Sequence, residues 1–193
     1  MPARSVSSAL LVLSGLGLLS APTLAAETYK VDPVHSSALF RVKHLGVSNY
    51  YGHFTDISGT FVLDEKNASA NSVDVQVKTE SVATHNEKRD QHLKSPDFFN
   101  AKEFPVLSFK SKQVKAAGKG VYEVTGDLTI RGVTKPLTTR VTLVGSGKGM
   151  QEEYRAGFET IFTIKRSDFG VNYMPQGLGE DVQITVSLEG IRQ

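Results

Sequence analysis

Apolar and polar residues alternate with a period of two along most of the chain, which is typical of β-strands with one buried face and one solvated face. The alternation is clear in SALFRVKHL (37–45), SVDVQVKTE (72–80) and GVYEVTGDLTIRG (120–132). Glycine-containing segments at 130–135 and 144–151 predict hairpin turns between strands. These signals predict about eight strands. They start near Tyr29, Tyr51, Val73, Val106, Val121, Lys135, Arg155 and Asp181.

The second predicted strand changes the parity of its apolar residues. Phe54 occupies an even position, whereas Phe61 and Leu63 occupy odd positions. An extra residue in one strand shifts the alternation in this way, so TDISGTF (55–61) is predicted to hold a β-bulge.

Antiparallel strands in this number close into a barrel or pack as a sandwich. The polar face carries charged residues such as Asp74, Glu123 and Arg140, which are too costly to place in hydrocarbon. The apolar face is therefore predicted to lie inside, and no stable membrane insertion is expected. An eight-stranded barrel is either filled by side chains or encloses one small ligand. Small inward residues, including Gly126 and Ala156, are compatible with both arrangements.

The segment SVATHNEKRDQHLKSPDFFN (81–100) interrupts the strand pattern. Thr84 and Glu87 have the spacing of a capping box, which predicts a helix from about His85 to Lys94. Ser95, followed by a proline, predicts a second short turn. A helix inserted between barrel strands, with two phenylalanines after it, is predicted to cover one mouth of the barrel.

The charged residues of this helix have a structural and a chemical interpretation. His85 and His92 lie seven residues apart, about 10 Å along a helix axis, which is too far for two ligands of one metal. Glu87 and Asp90 have the spacing of neighbours on a helix, but such carboxylate pairs are usually solvated. We expect Arg89 to be fixed against a loop by one of these carboxylates. The segment is thus predicted to contain neither a metal site nor catalytic residues.

The N-terminal segment has the order of features found in a secretory signal peptide. Arg4 precedes an apolar run at 9–19, which is shorter than the roughly 20 residues of a membrane-spanning helix. Small residues end the segment, and cleavage after Ala25 is predicted. The expected domains are therefore a removed signal peptide at 1–25 and a barrel domain at 26–193. Export of this kind predicts a periplasmic protein.

Composition narrows the function classes. The 193 residues have a formal net charge of +2, with 39% hydrophobic and 22% charged residues. This balance is globular, and because no basic cluster stands out, no nucleic-acid partner is predicted. There are no cysteines, which excludes disulfides, thiolate metal sites and thiol redox chemistry. No cofactor is predicted.

Four segments of the chain form a distinctive set, namely VKHLGVSNYYGHFTDISGTFVLDE (42–65), SVATHNEKRDQHLKSPDFFNAKEFPVLSFKS (81–111), GDLTIRGVTKPL (126–137) and IKRSDFG (164–170). Together they resemble the YceI-like proteins, which are exported lipid-binding proteins of bacteria. The resemblance implies an all-β fold, namely an eight-stranded antiparallel lipocalin-like barrel with a short helical insertion near residues 84–100. It also implies a long apolar tunnel that holds an amphiphile.

With that resemblance, the inward-facing residues become candidates for the tunnel lining. They are Phe40, Val42, His44, Phe54, Phe61, Val75, Val77, Leu93, Phe98, Phe99, Phe109, Phe158 and Phe162. Arg89 and His92, at the expected mouth, are candidates for contact with a polar or anionic headgroup. For His44 a hydrogen bond inside the barrel is the alternative. For the apolar candidates the alternative is an ordinary packed core.

The function implied by the resemblance is binding or carriage of a long-chain lipid, such as a polyisoprenoid or an isoprenoid quinone, in the periplasm. It also implies an association with stress response, and a homodimer, because members of the family often form dimers. Two alternatives remain on the residues alone. One is a structural or stress-response interaction module with a filled core and no ligand. The other is a hydrolase, although the sequence contains neither a G-x-S-x-G nor an H-E-x-x-H motif.

Overall fold

A computed structural model describes residues 26–193 of the protein, and an antiparallel β-sheet that closes on itself contains most of them. The predicted signal peptide, 1–25, lies outside the described residues. The strands are β1 (Glu27–Val31), β2 (Ser37–His44), β3 (Ser48–Phe54), β4 (Ile57–Leu63), β5 (Ser72–Lys78), β6 (Val82–Ala83), β7 (Val106–Gly118), β8 (Val121–Ile130), β9 (Val133–Lys148), β10 (Tyr154–Lys165) and β11 (Leu178–Arg192). The helix α1 is Glu87–Lys94, and three 3-10 turns are Ala68–Ala70, Thr79–Ser81 and Arg166–Phe169.

The short strands combine into eight barrel strands. β1 and β2 pair one after the other with β11, so they form a single barrel strand interrupted at 32–36. β3 and β4 form the next one, interrupted at 55–56, and β5 and β6 pair alongside them. With β7 to β11 this gives an up-and-down barrel, closed by the pairing of β1 with β11. The predicted eight-stranded antiparallel barrel is confirmed.

The irregularity predicted in the second strand is present, but it is an interruption rather than a bulge. The ladder between β4 and β5 keeps its register from Ile57 to Val62. The break lies at Thr55 and Asp56, whose backbone groups bond to Ser81 and Lys78 across an equivalent break in the neighbouring strand. The parity of the apolar residues changes there because the two halves of the strand are bent relative to each other.

The two ends of the barrel differ. The mouth end carries the turn between β2 and β3, the segment 84–105 with α1, the turn at 131–132 and the loop 166–177. The closed end carries the connections at 64–71, 119–120 and 149–153. The last of these corrects the predicted turn at 144–151, because β9 continues to Lys148.

The closed end is packed by aromatic rings. Tyr29 is 1% exposed and stacks on Phe61, and Phe158 meets Phe61 edge to face at a centroid distance of 5.2 Å. Ala156, also 1% exposed, belongs to this cluster. The small inward residue Ala156 therefore makes room for neighbouring side chains rather than for a ligand.

The helix begins at Glu87, as its cap is Asn86 and not Thr84. The side chain of Asn86 accepts a hydrogen bond from the backbone amide of Arg89 at 3.0 Å. Thr84 is buried and its hydroxyl is engaged with the side chains of Arg89 and Asp90, so it is not available as a cap. Within residues 26–193, no helix has the length and apolar character needed to cross a membrane.

Candidate functional site

The barrel encloses a cavity of about 500 Å³ that reaches the mouth end. All of the residues predicted to line the tunnel or to contact a ligand headgroup lie in the cavity wall. Their contact with a ligand stays a prediction. They are Phe40, Val42, His44, Phe54, Phe61, Val75, Val77, Arg89, His92, Leu93, Phe98, Phe99, Phe109, Phe158 and Phe162. A cavity of this size is within the range of small-molecule sites in proteins.

Aromatic and branched aliphatic side chains form most of the cavity wall. Phe54 meets Phe40 at a centroid distance of 5.9 Å and Phe99 at 5.5 Å, which joins the barrel wall to the segment after α1. Two wall threonines, Thr139 and Thr160, bond to each other at 2.8 Å, so their hydroxyl groups are satisfied within the protein. The interior of the cavity is thus suited to an apolar chain.

Arg89 is fixed at the mouth by Tyr50 and Thr84. Its Nε donates to the hydroxyl of Thr84 at 2.8 Å, and a terminal nitrogen donates to the Thr84 carbonyl at 2.7 Å and to the hydroxyl of Tyr50. The guanidinium also lies over the Tyr50 ring, 4.3 Å from its centroid. Arg89 is fixed as predicted, but no carboxylate holds it directly. The hydroxyl of Thr84 donates to Asp90 and accepts from Arg89, so it lies between them. These contacts connect α1 to β3.

His92 is held on the opposite side of the helix end. Its Nε2 lies 2.7 Å from a carboxylate oxygen of Asp97. The ring packs edge to face on Phe98 at 5.0 Å and on Tyr173 at 4.9 Å. The contact with Tyr173 joins α1 to the loop 166–177. These two segments together cover the mouth of the barrel. Arg89 and His92 therefore place polar groups around an otherwise apolar entrance.

His44 ends β2 at the mouth and lies in the cavity wall. Its imidazole makes no hydrogen bond to any residue of 26–193, in contrast to the internal hydrogen bond that the sequence left open. An imidazole without a partner among the described residues is able to bond to a ligand or to water.

Arg166 is a buried cation that sequence analysis did not identify. It is 6% exposed and lies in the cavity wall. Its guanidinium donates to the carbonyls of Val171 and Tyr173 at 2.8 Å each, and to those of Gly179 and Leu178 at 3.0 and 3.2 Å. The side chain therefore shapes the loop 166–177 from inside. Its burial could not be read from the alternation, because the loop that covers it has no periodic pattern.

Tyr50, Tyr173 and Met174 are further wall residues that the sequence analysis missed. Tyr50 has the even parity of Phe54, so starting the predicted strand one residue earlier would have included it. Tyr173 and Met174 belong to the loop 166–177, where only the folded chain places side chains over the mouth.

A polar cluster outside the barrel has the composition of a metal site but is organised by an arginine. Asp32, His35 and Glu189 bring their ligand atoms within 4.8 Å of one another. Arg155 donates to Asp32 at 2.8 Å and to Glu189 at 2.5 Å, so both carboxylates are already paired with a cation. Hydrogen bonds from His35 and Arg155 hold the pKa of Asp32 well below its usual range. The hydrogen bonds of this cluster connect the segment 32–36, between β1 and β2, to β10 and β11.

A family model and a curated relative both match most of this chain. A model of the YceI-like domain matches residues 29–190. A UPF0312 protein of Pseudomonas aeruginosa is 44% identical over 181 residues, covering 93% of this chain and 94% of the relative.

Two solved structures share the barrel. The structure of BcnA from Burkholderia cenocepacia superposes with a TM-score of 0.76 at 26% identity, covering 82% of this chain and 98% of that one. A domain from Saccharophagus degradans, described as polyisoprenoid-binding and implicated in plant cell wall breakdown, superposes with a TM-score of 0.67. It is 15% identical and covers 86% of this chain and 98% of its own, so this likeness concerns the fold alone.

Proposed function

The chain belongs to the YceI-like domain family, and on this premise we propose that it binds a long-chain amphiphilic lipid inside its barrel. The ligand class we propose is a polyisoprenoid or an isoprenoid quinone. The observation that carries the proposal is the cavity itself, whose interior is apolar while Arg89, His92 and His44 lie at the entrance. This distribution fits an amphiphile with its chain inside and its headgroup at the mouth.

Burial of an apolar chain supplies the main driving force for binding. Each methylene transferred from water contributes about 0.8 kcal/mol, before the cost of ordering the chain is subtracted. Affinity should therefore rise with chain length until the chain reaches the packed rings around Phe61. The headgroup contributes less, because Arg89 at the mouth is exposed and polar contacts there replace contacts with solvent.

The mouth favours a headgroup that accepts hydrogen bonds. Arg89 has a positive charge and His92 has a ring nitrogen paired with Asp97. A guanidinium pairs well with carbonyl, phosphate or carboxylate oxygens. Quinone carbonyls and prenyl phosphates both offer such oxygens, so both belong to the proposed ligand class.

The polyisoprenoid ligand is supported by fold as well as by the cavity. The Saccharophagus degradans domain is described as polyisoprenoid-binding and has the same barrel. The apolar segment at 9–19, with small residues up to Ala25, supports export and a periplasmic carrier role. The cavity argues against the alternative of a module with a filled core.

Native mass spectrometry of the exported protein, followed by organic extraction, tests this function. We expect an added mass that extracts as a prenyl or other long-chain lipid. Delipidated protein should then take up added polyprenyl alcohol or quinone in proportion to chain length. A bare mass, with no uptake of either probe, would contradict lipid binding and favour an interaction module.

A further inference from the structure

Four large apolar side chains are exposed at the mouth end of the barrel. Leu45 and Val47, in the turn between β2 and β3, are 56% and 82% exposed. Tyr173 and Met174, in the loop 166–177, are 42% and 41% exposed. We call these four residues the rim patch. Apolar side chains clustered on a surface commonly mark an interaction site.

Two residues of the rim patch have a backbone conformation that disfavours them. Leu45 has a φ of 50° and Met174 a φ of 53°, in the left-handed region that suits Gly or Asn. Leu45 is 56% exposed and Met174 41% exposed, so neither conformation is compensated by full burial in a core. An exposed apolar residue kept in a strained position indicates a role that folding alone does not explain.

The two halves of the rim patch form one surface. The amide of Leu45 donates to the carbonyl of Gly177 at 2.7 Å, and the amide of Gly177 donates to the carbonyl of Met174 at 3.0 Å. Tyr173 and Met174 also lie in the cavity wall. The patch is therefore continuous with the entrance through which a lipid would pass.

The charges around the rim patch suit an anionic surface. The segment 41–54 contains neither an Asp nor a Glu, and the loop 166–177 contains one acidic residue, Asp168, five residues before Tyr173. Arg41 and Lys43 lie on β2, four and two residues before Leu45, and Lys43 is exposed. Basic residues beside exposed apolar side chains are typical of proteins that bind reversibly to membranes with anionic lipids.

We infer that the rim patch docks the mouth of the barrel onto the surface of a lipid bilayer. Leu45, Val47 and Met174 enter the interface between headgroups and acyl chains, and Tyr173 lies at headgroup level, where amphipathic rings are favoured. Arg41 and Lys43 add attraction to anionic headgroups. The docked orientation points the cavity at the membrane, so a lipid moves between bilayer and barrel without crossing water.

A bilayer fits the rim patch better than a second copy of this chain. A stable protein interface takes roughly 20–30 residues from each side, whereas the patch comprises four side chains on two narrow tips. A dimer through this patch would also cover the entrance. A bilayer needs only a few inserted side chains, because it deforms to meet them.

Vesicle flotation tests the inference with a double variant, Leu45→Asn and Met174→Asn. The probe is vesicles of phosphatidylethanolamine and phosphatidylglycerol, mixed with the exported form of the protein. We expect the partition coefficient to fall at least tenfold while the unfolding midpoint is unchanged or higher, because Asn tolerates the left-handed conformation. The matched control, Val144→Thr and Met150→Gln, removes two apolar side chains that are 71% and 101% exposed toward the closed end. It should bind vesicles as the wild type does.

Charge provides a second measurement. Arg41→Gln with Lys43→Gln should lower vesicle binding at low salt and make the remaining binding less dependent on salt. Equal loss of binding in the closed-end control, or no vesicle binding by the wild type, would overturn the inference. Sedimentation that shows a dimer, lost only in the Leu45 and Met174 variant, would instead assign the patch to a second copy of the chain. Docking does not require a particular ligand, so vesicle binding by delipidated protein separates this inference from the proposed function.

Discussion

Tyr29 and Phe61 stack with their ring centroids 5.0 Å apart and their planes 8° from parallel. They come from neighbouring barrel strands, β1 and β4, where the register places them opposite each other. Gly190 lies against them, and a Cβ at this position would collide with the Phe61 ring. The pair therefore packs the barrel interior toward the closed end, where Phe61 also lies in the cavity wall.

Phe61→Ala is expected to deepen the cavity. The loss of a buried ring should lower the free energy of unfolding by about 3–5 kcal/mol. The longest prenyl chain retained after extraction should increase, because the new space extends the cavity. Chain-length distributions by mass spectrometry provide the measurement. Val31→Ala is the control, since Val31 is buried in the same cluster but outside the cavity wall. An unchanged distribution in the Phe61 variant would show that the cavity ends above this ring.

Val42→Trp is expected to fill the cavity without unfolding the protein. Val42 is half-buried in the wall, and the adjoining space can accept a larger ring, so the loss of stability should stay below about 3 kcal/mol. Lipid occupancy in native mass spectra should fall to near zero. Glu123→Trp, on the exposed face of β8, is the matched control and should keep its ligand. A Val42 variant that stays folded and fully loaded would place the lipid elsewhere.

Arg166→Met is expected to loosen the cover of the mouth. The change removes the donors for four backbone carbonyls, which are then left without partners near the cavity. Stability should fall by at least about 3 kcal/mol, and hydrogen exchange at 171–179 should accelerate most. Arg140→Met, on an exposed side chain of β9, is the control and should change neither. Unchanged exchange at 171–179 would refute the role assigned to Arg166.

Asp32→Asn is expected to destabilise the protein in a pH-dependent way. Hydrogen bonds from His35 and Arg155 lower the pKa of Asp32 below its ordinary value of 3.8, so the folded state favours the ionised carboxylate. This stabilisation is complete above about pH 4 and is lost as the pH falls toward the folded-state pKa. The variant should lose about 2 kcal/mol at pH 7 and progressively less at lower pH.

Denaturant unfolding of the Asp32 variant at pH 7 and pH 3 checks this prediction. Asp56→Asn is the control, because Asp56 pairs with Lys78 on an exposed surface where such pairs contribute little. A loss of stability in the Asp32 variant that grows as the pH falls would have the wrong sign and would exclude this account.

The sequence identified the strands and their inward faces, because the two-residue period of a strand fixes which side chains share a face. Parity assigned Phe40, Val42 and His44 to one inward face, and the family resemblance made that face a tunnel lining. The structure places all three in the cavity wall. The helix was located correctly, but its cap was not. Thr84 and Asn86 both have capping side chains, and only the folded contacts of Thr84 with Arg89 and Asp90 decide between them.

The space inside the barrel depended on tertiary structure. Gly126, a small inward residue, was compatible with both a filled interior and a ligand site, and the ring of Phe109 occupies the space beside it. Which gaps are filled depends on side chains from neighbouring strands, whose register is set only when the barrel closes. The same holds for Arg166 and for the rim patch, because a loop without periodicity acquires its neighbours only from the fold. The two-residue period of the strands therefore determined which residues line the cavity. Contacts between distant segments determined how the closed end is packed and which side chains lie over the mouth.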